Sequence, residues 1–262
     1  MVDSKVVVIT GSSNGIGKAL AKLFLKKEYA VVINGRKLDR LKVTAAELEQ
    51  YGKVHPIAGD ISQKDQAKRL IDETIAYFGR LDILINNAGI ALKAPLQETD
   101  PDVFKQVYYT NVFGTINTSS PAIPHLTEAG GSLVFISSVA GIRGLPEFSA
   151  YASSKMALRG IADSVKLELN DKGVHVGLIY VGFTENDKEK KTLNASGELQ
   201  PINNNSGFKL QTPDQVAQAI FYNIDKRRYI SVLSSLGKLN MLMNRFFPKL
   251  TEVIIKRQLK NR

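Results

Sequence analysis

Tyr151 and Lys155, in the run Tyr-Ala-Ser-Ser-Lys, form the pair of side chains best suited to proton transfer in this sequence. A spacing of four residues places both on one face of a helix. A free phenol has a pKa of about 10, and a neighbouring ammonium ion favours the phenolate and lowers that pKa. The pair could therefore protonate an alkoxide formed on a carbonyl carbon, or deprotonate an alcohol. The same spacing also fits a half-buried tyrosine beside a solvated lysine, so other residues must decide.

A glycine-rich segment joins the first apolar run, residues 6–10, to an amphipathic stretch. Glycines in such a turn let the backbone approach phosphate groups closely, and the N terminus of the following helix faces the anion. This arrangement predicts a dinucleotide site, with a plain turn as the alternative. The residues predicted to line the site are Gly11, Ser13, Asn14, Gly15, Ile16 and Gly17.

The residues after the second expected strand indicate which dinucleotide binds. An acidic residue there binds the ribose 2′-hydroxyl of NAD, whereas an arginine suits the 2′-phosphate of NADP. Here the run is Asn34-Gly35-Arg36-Lys37, with no carboxylate before Asp39. Arg36 can offer several donors to a phosphate, so the sequence predicts NADP(H) rather than NAD. The alternative is that Arg36 and Lys37 only solvate the start of a helix.

Asp60 and Ile61 follow the third expected strand. At that point a carboxylate could accept a hydrogen bond from the adenine amino group, and an apolar side chain could cover the adenine ring. Both residues are therefore candidates for cofactor binding. Asp60 could equally cap the next helix.

Apolar runs alternate with amphipathic stretches along the chain, which indicates β-α-β units and a parallel sheet. Strands are expected at residues 6–10, 30–34, 54–58, 81–85, 132–136, 174–180 and 229–233, and a long helix at 150–171. No linker or repeat interrupts the 262 residues, so one domain over residues 1–262 is predicted. Between 183 and 211 the pattern gives way to a polar stretch that predicts a substrate loop or a lid.

Composition and charge exclude several classes of protein. The chain has no cysteine, so neither disulfides nor a thiolate metal site can form, and no metal site is predicted. It shows neither a charged n-region before an apolar segment nor a long apolar run, so a cytoplasmic location is expected. Ten Lys or Arg and one acidic residue fall in residues 226–262, which carry +9 of the total charge of +10. The remainder is nearly neutral, which argues against a nucleic-acid partner.

The C-terminal extension, residues 234–262, combines helical apolar spacing with basic residues. Its apolar positions are Leu236, Leu239, Leu242, Met243, Phe246, Phe247, Leu250, Val253, Ile254 and Leu259. Pro248 is expected to break the helix or to start a new one. Two interpretations stay open. A basic amphipathic helix can make a peripheral contact with the inner face of a membrane, or it can pack on the domain, over the substrate cleft or in a subunit contact.

Together these residues resemble the short-chain dehydrogenase/reductase family over about residues 3–182. The resemblance is carried by the glycine turn, Asp60, the run Asn86-Asn87-Ala88-Gly89, Asn111, the run 137–141 that contains Ser138, and Tyr151 with Lys155. It implies an α/β fold with a doubly wound parallel Rossmann sheet of about seven strands and helices on both faces. It also implies hydride transfer between a nicotinamide and a carbonyl or alcohol carbon.

The resemblance further implies a role for each matching residue. Tyr151 is the general acid or base, and Lys155 holds the nicotinamide ribose and lowers the pKa of Tyr151. Ser138 hydrogen-bonds the substrate oxygen, and Asn111 steadies a helix break that holds a water linking Lys155 to solvent. The implied cofactor-lining residues near the middle of the sheet are Asn87, Ala88 and Gly89.

The family motif after the sixth strand is altered in this chain. The family usually has Pro-Gly there, with a threonine four residues after the glycine. Here Val181 precedes Gly182, and Asn186 occupies the threonine position. Thr184 could substitute for that threonine, so Gly182 and Thr184 are the expected cofactor contacts.

The leading hypothesis is an NADP(H)-dependent carbonyl reductase or alcohol dehydrogenase with a small-molecule substrate. The tail and residues 149–151 and 156–160 look like those of members acting on lipophilic carbonyls, such as ketosphinganine reductases and hydroxysteroid dehydrogenases. The alternatives are a 3-oxoacyl-carrier-protein reductase, whose acidic carrier could meet the basic tail, and a catalytically silent NADP-binding redox sensor. The resemblance implies a homodimer or homotetramer built on helices around 100–128 and 150–171.

Overall fold

Seven parallel strands form the central sheet, in a computed structural model that describes residues 4–185, 191–202 and 210–260. In chain order the strands of the described residues are β1 (Val6–Ile9), β2 (Ala30–Gly35), β3 (Val54–Ala58), β4 (Ile83–Asn86), β5 (Ser132–Ser138), β6 (His175–Val181), β7 (Lys191–Leu193), β8 (Leu199–Pro201) and β9 (Ile230–Val232). Two of these strands, β7 and β8, form a separate sheet. The order across the sheet is β3-β2-β1-β4-β5-β6-β9, and every pairing in it is parallel. The predicted doubly wound Rossmann sheet is confirmed.

Helices cover both faces of this sheet. They are α1 (Gly15–Lys26), α2 (Leu38–Leu48), α3 (Lys64–Phe78), α4 (Pro101–Tyr108), α5 (Gly114–Glu128), α6 (Ser149–Glu168), α7 (Pro213–Asp225), α8 (Ser235–Phe246) and α9 (Pro248–Lys260). Along β1, Val6 and Val8 pack with α3, α5 and α6, whereas Val7 and Ile9 pack with α1, α2 and α7. Because successive side chains of a strand point to opposite faces, a strand buried on both sides must be apolar throughout.

Strands β2 and β3 are added on one side of β1, and β4, β5 and β6 on the other. The order in which strands are added therefore reverses between β1 and β4, which are parallel neighbours in the sheet. In open parallel sheets, ligands bind in the crevice at the carboxyl ends of the strands at such a reversal. The turn after β1, the run after β4 and Ser138 at the end of β5 all lie at this edge. The fold therefore brings the predicted catalytic and cofactor residues to one side of the sheet.

The stretch expected to be a polar loop, residues 183–211, contains a short hairpin. β7 and β8 pair in antiparallel fashion, and the amide of Leu193 donates a hydrogen bond to the carbonyl of Ala91 at 2.9 Å. Leu193 is buried against Leu92. The expectation of a stretch without secondary structure is therefore wrong for residues 191–201, because a few buried apolar positions fasten the hairpin to the segment after β4. Its predicted role at the substrate stays a prediction.

The C-terminal extension forms two helices, α8 and α9. The first ends at Phe246 and the second begins at Pro248, as the proline predicts. Ser234 caps α8 by accepting a hydrogen bond from the amide of Gly237 at 3.1 Å. No helix of the ranges described above is long and apolar enough to cross a membrane.

Candidate active site

The Ser138 hydroxyl lies within hydrogen-bonding reach of the Tyr151 phenol and lowers the pKa of that phenol. Ser138 is the last residue of β5, and Tyr151 lies in the first turn of α6. The chain between them makes a turn at Val139–Gly141, where the Ser138 hydroxyl also accepts a hydrogen bond from the amide of Ala140 at 3.2 Å. Two hydroxyl groups thus converge at the carboxyl edge of the sheet, where one substrate oxygen could contact both.

Lys155 lies one turn after Tyr151 on α6 and is only 5% exposed. Its ammonium nitrogen donates a hydrogen bond to the carbonyl oxygen of Ile136 at 2.9 Å and lies 5.9 Å from the centre of the Tyr151 ring. The carbonyl oxygen of Lys155 accepts a hydrogen bond from the Ser137 hydroxyl at 2.9 Å. Side chain and backbone are therefore both fastened to β5, which fixes a buried positive charge beside the phenol.

The pKa of Tyr151 lies above its ordinary value. Loss of hydration raises this pKa because it disfavours the phenolate, and the hydrogen bond with Ser138 lowers it by a smaller amount. The lowering expected from Lys155 is therefore not the net result, since burial is the larger cause. A phenol with a raised pKa keeps its proton at neutral pH, as a general acid must.

Asn111 holds the break between α4 and α5. It lies in the π-helical turn Tyr109–Phe113 and is 1% exposed. Its side-chain oxygen accepts a hydrogen bond from the Ile90 amide at 2.8 Å, and its side-chain nitrogen donates to the Ile90 carbonyl at 3.0 Å and to the Ser154 hydroxyl at 2.9 Å. The Ser154 hydroxyl donates in turn to the carbonyl of Tyr151 at 2.7 Å. These bonds connect the helix break directly to the first turn of α6.

The turn after β1 is locked to the run after β4. Gly11 has a φ of +63°, and a Cβ at this position would lie 2.7 Å from the Cα of Ala88. The side-chain nitrogen of Asn87 donates to the carbonyls of Thr10 and Gly11 at 2.9 and 3.1 Å. The Thr10 hydroxyl accepts from the amides of Asn87 and Ala88, both at 3.0 Å. Only a glycine fits a turn this close to the neighbouring backbone.

Gly15, Ile16 and Gly17 form the first turn of α1, and Asn14 is its N-cap residue. The Asn14 side chain makes no capping hydrogen bond to this helix. The first amide groups of a helix have no partner within it, so those of α1 are available to an anion. The arrangement fits the phosphate groups of a dinucleotide.

Comparison with known families agrees with this geometry. The short chain dehydrogenase family model matches residues 5–196, a range that includes the glycine turn and the convergence of Ser138, Tyr151 and Lys155. The chain belongs to the short-chain dehydrogenase/reductase family. The resemblance carried by the sequence motifs is thereby confirmed.

Relatives of this family member differ in the functions that their names give. The chain is 37% identical over 196 residues to 11-beta-hydroxysteroid dehydrogenase-like 4A of Arabidopsis thaliana, a match that covers 73% of this chain and 65% of the plant protein. It is 32% identical over 233 residues to 3-oxoacyl-[acyl-carrier-protein] reductase FabG of Thermotoga maritima, covering 88% of this chain and 94% of that protein. The chain thus spans less than two thirds of the length of the plant relative and nearly all of the bacterial one.

Solved structures share the fold of this family member. An alcohol dehydrogenase from Thermococcus sibiricus, complexed with 5-hydroxy-NADP, matches with a TM-score of 0.77 at 25% identity and covers 90% of this chain and 98% of its own. A short chain dehydrogenase/reductase from Burkholderia phymatum in complex with NAD matches with a TM-score of 0.82 at 23% identity, covering 95% of each chain. The second likeness shows the fold alone.

A cleft of about 490 Å³ opens between the glycine turn and the start of α2. Ser13 and Asn14 line it on one side, and Lys37 and Arg40 line it on the other. Arg36, at the end of β2, is exposed nearby. Helix-end amides and basic side chains bind phosphate groups, so the residues present fit the phosphate groups of a nicotinamide dinucleotide.

Acidic side chains also border this cleft. Asp39 and Glu47 both line it, and Glu47 forms an ion pair with Lys18 of α1. The cleft is therefore mixed in charge rather than uniformly positive. Recognition of a 2′-phosphate would rest on the basic residues at the end of β2 and the start of α2, and it stays a prediction.

Asp60 and Ile61 are engaged in local structure after β3. The Asp60 side chain accepts hydrogen bonds from the amide and hydroxyl of Ser62 at 3.0 and 2.8 Å through one oxygen, so it closes a turn ahead of α3, whose N-cap is Gln63. Ile61 is 4% exposed and packs against Gly114. Because the Ile61 side chain is held in the core, an adenine contact at this position would fall to its backbone. The adenine contacts of both residues stay predictions.

Gly182 and Thr184, the expected contacts at the nicotinamide end, follow β6. The Thr184 hydroxyl donates a hydrogen bond to the Gly182 carbonyl at 3.3 Å. The amide of Glu185 donates to the carbonyl of Gln211 at 2.9 Å, which ties this segment to the residues before α7. Asn186, at the usual threonine position, lies outside the described residues. The roles of Gly182 and Thr184 therefore stay predictions.

Two residues of the site were not singled out from the sequence. Ser154 bridges Asn111 and Tyr151, and its position three residues after Tyr151 on a helix already places it on the same side. Arg40 lines the cleft from the first turn of α2, four positions after Arg36, and a further basic residue at the start of that helix was an available signal. Among the residues that the structure describes, no group of His, Asp or Glu side chains is arranged to hold a metal ion.

Proposed function

We propose that this chain is an NADP(H)-dependent oxidoreductase that interconverts a carbonyl group and an alcohol. The observation that supports this most is the convergence of the Ser138 hydroxyl and the Tyr151 phenol, with the Lys155 ammonium 5.9 Å from the tyrosine ring. Two hydroxyl groups that meet can bind one substrate oxygen, the first as a hydrogen-bond donor and the second as a proton source. When bound, the nicotinamide cofactor would supply or accept the hydride.

Each residue has a separate task in this proposal. Tyr151 holds its proton at neutral pH, as a free phenol does, and burial raises its pKa further. As negative charge develops on the substrate oxygen, Ser138 stabilises that charge and Tyr151 transfers its proton to the oxygen. Lys155 then faces a phenolate, which its positive charge stabilises. Asn111 and Ser154 hold α6 in position, and the oxidation of an alcohol uses the same groups in reverse.

The preference for NADP(H) is supported by local charge. No acidic residue occupies the end of β2, where Arg36 and Lys37 stand, and Arg40 lines the adjacent cleft. An arginine can bind a phosphate through two parallel hydrogen bonds, whereas an acid at this point would repel it. The named cofactors of the structural relatives include both an NADP derivative and NAD, so the proposal rests on these three side chains.

A lipophilic ketone or alcohol, steroid-like or ketosphinganine-like, is the proposed substrate class. The name of the plant relative supports a steroid-like substrate, and an apolar cluster that contains Leu92, Ala150 and Leu193 beside Tyr151 supports a lipophilic one. A 3-oxoacyl thioester is the second candidate. It is supported by the match to nearly the whole of the Thermotoga reductase, and the basic tail could meet an acidic carrier.

The proposal is tested by following NADPH oxidation against a graded panel of small aldehydes, acyl thioesters, steroids and long-chain ketones. We expect turnover to be greatest on a lipophilic ketone and to fall at least about 100-fold in Tyr151→Phe, with the Kd for NADPH changed only a few-fold. Tyr77→Phe, at an exposed tyrosine, is the matched control. A clear preference for thioesters would favour the second candidate. Tight NADPH binding without turnover of any carbonyl would instead indicate a silent cofactor sensor.

A further inference from the structure

The two consecutive C-terminal helices, α8 and α9, carry a large share of the exposed apolar surface of this protein. Among the described residues nineteen large apolar side chains are exposed, and eight of them fall between positions 236 and 254. They are Leu236, Leu239, Leu242, Phe246, Phe247, Leu250, Val253 and Ile254, each 43% to 63% exposed. Water-soluble proteins rarely expose so many apolar side chains to solvent within two consecutive helices. α8 and α9 are therefore a candidate interaction surface.

The exposure is not a sign of a loosely attached helix, because the opposite face of α8 is packed. Gly237 lies against Val139, Met241 packs on the core, and Asn244 donates a hydrogen bond to the carbonyl of Ile142 at 3.2 Å. These three positions recur every three or four residues, which is the spacing of one helix face. The exposed leucines and Phe246 occupy the other face of a helix that is held in place.

The charge around this apolar surface is strongly one-sided. Residues 235–260 contain six Lys or Arg and one acidic residue, Glu252, which is paired with Lys256 at 2.6 Å. Lys238, Lys249 and Arg257 are all exposed. The 225 residues before the basic tail carry a net charge of only +1. An apolar surface edged by basic side chains is complementary to a surface that is apolar inside and negative outside.

We propose that α8 and α9 dock on the surface of an anionic phospholipid bilayer. Their apolar side chains enter the boundary between headgroups and acyl chains, and their basic side chains contact the lipid phosphates. Each helix is only about 20 Å long, shorter than a hydrocarbon core of about 30 Å, so α8 and α9 lie on the bilayer and do not cross it.

A second copy of this chain is a poorer occupant of the same surface. A symmetric contact places the same patch of both subunits face to face. The positively charged helices α8 and α9 of the two copies would then face each other, and like charges brought together across an interface are destabilising. Anionic lipid removes that repulsion and replaces it with attraction.

Docking of α8 and α9 would bring the candidate active site close to the bilayer. α8 begins three residues after β9, at the carboxyl edge of the sheet, and Arg143, five residues after Ser138, donates a hydrogen bond to Asn244 of α8. A lipophilic substrate dissolved in the membrane would thus be near Ser138. This consequence rests on the proposed function, whereas the docking itself does not.

Vesicle co-sedimentation of the full-length chain tests the docking without any need for turnover. Phosphatidylcholine vesicles are compared with vesicles that also contain phosphatidylserine. We expect one triple variant to bind the phosphatidylserine vesicles about 100-fold more weakly. It combines Lys238→Gln, Lys249→Gln and Arg257→Gln. The control removes three exposed charges elsewhere, by Lys5→Gln, Lys64→Gln and Lys172→Gln, and is expected to bind within a few-fold of the original chain. Equal binding of the two triple variants would overturn the proposal.

The apolar contribution is tested separately by Leu239→Gln with Phe246→Gln. We expect this double variant to bind both kinds of vesicle at least about tenfold more weakly. Leu96→Gln with Leu167→Gln, at positions 64% and 75% exposed, is the matched control and should bind normally. Sedimentation velocity without lipid supplies the opposing outcome. If Leu239→Gln with Phe246→Gln changes the oligomeric state and leaves vesicle binding unchanged, the surface is a contact between copies and the lipid proposal is wrong.

Discussion

Arg143 donates a hydrogen bond to the side-chain oxygen of Asn244 at 2.8 Å, across 101 residues of sequence. Arg143 also donates to the carbonyl of Pro248 at 3.3 Å, and Asn244 donates to the carbonyl of Ile142 at 3.2 Å. These bonds tie both C-terminal helices to the segment that begins at Ser138. The extension therefore supports the turn that carries one of the two converging hydroxyl groups.

Asn244→Ala should lower kcat for carbonyl reduction by about tenfold and leave the KM for NADPH nearly unchanged. The substitution removes one of the two acceptors of Arg143 and the donor to the carbonyl of Ile142, so the turn after Ser138 loses part of its support. Steady-state kinetics with a soluble aldehyde measures both constants. Asn240→Ala, one turn earlier on α8, is the control because that side chain makes no hydrogen bond to any described residue. Equal effects of the two variants would contradict a specific role for Asn244.

Arg36→Ala should raise the KM for NADPH at least about tenfold and leave the KM for NADH unchanged. The guanidinium group is expected to contact only the 2′-phosphate, which NADH lacks. Initial rates with each cofactor at a fixed carbonyl concentration give both values, so NADH serves as the internal control. A preference of the unmodified chain for NADH would show that the basic residues only solvate the start of α2.

Gly89→Ala should reduce turnover by about 10- to 100-fold while the protein still folds. A Cβ at this position would lie 3.2 Å from both the side-chain oxygen of Asn111 and the ammonium nitrogen of Lys155. Both groups would have to shift by a few tenths of an ångström, which moves the charge beside Tyr151. Gly144→Ala is the matched control, because its Cβ would meet no atom within 4 Å. The result to look for is a loss of turnover in the first variant only, with circular dichroism unchanged in both.

Local sequence signals were sufficient to predict the seven strands of the central sheet. Its strands are short apolar runs between turns, and burial on both faces requires that pattern. The hairpin of β7 and β8 was missed because its strands have three residues each and its support comes from Ala91 and Leu92, about 100 positions earlier. The bond between Arg143 and Asn244 was equally hidden, since neither residue belongs to a motif. Contacts between segments remote in sequence leave no periodic signal.

His175 links three segments of the structure. Its Nε2 atom lies 3.0 Å from the carbonyl oxygen of Arg228, and its Nδ1 atom lies 3.2 Å from the Ser132 hydroxyl oxygen. A neutral ring satisfies both contacts, because Nε2 then donates to the carbonyl and Nδ1 accepts from the hydroxyl. Loss of hydration lowers the pKa of His175, and the hydrogen bond to the carbonyl of Arg228 raises it by a smaller amount; the charge of Arg227 adds a minor lowering.

His175→Gln should make the free energy of unfolding less sensitive to acid. The pKa of His175 is lowered on folding, so below about pH 6.5 the unfolded chain binds a proton that the folded chain does not. Stability is therefore complete above that pH and falls as the pH drops towards the folded pKa. Urea unfolding between about pH 5 and 7.5 measures the slope. We expect a smaller slope in His175→Gln, with some remaining because burial also lowers the pKa of His55. His125→Gln is the control, and an identical slope in His175→Gln and the unmodified chain would contradict this linkage.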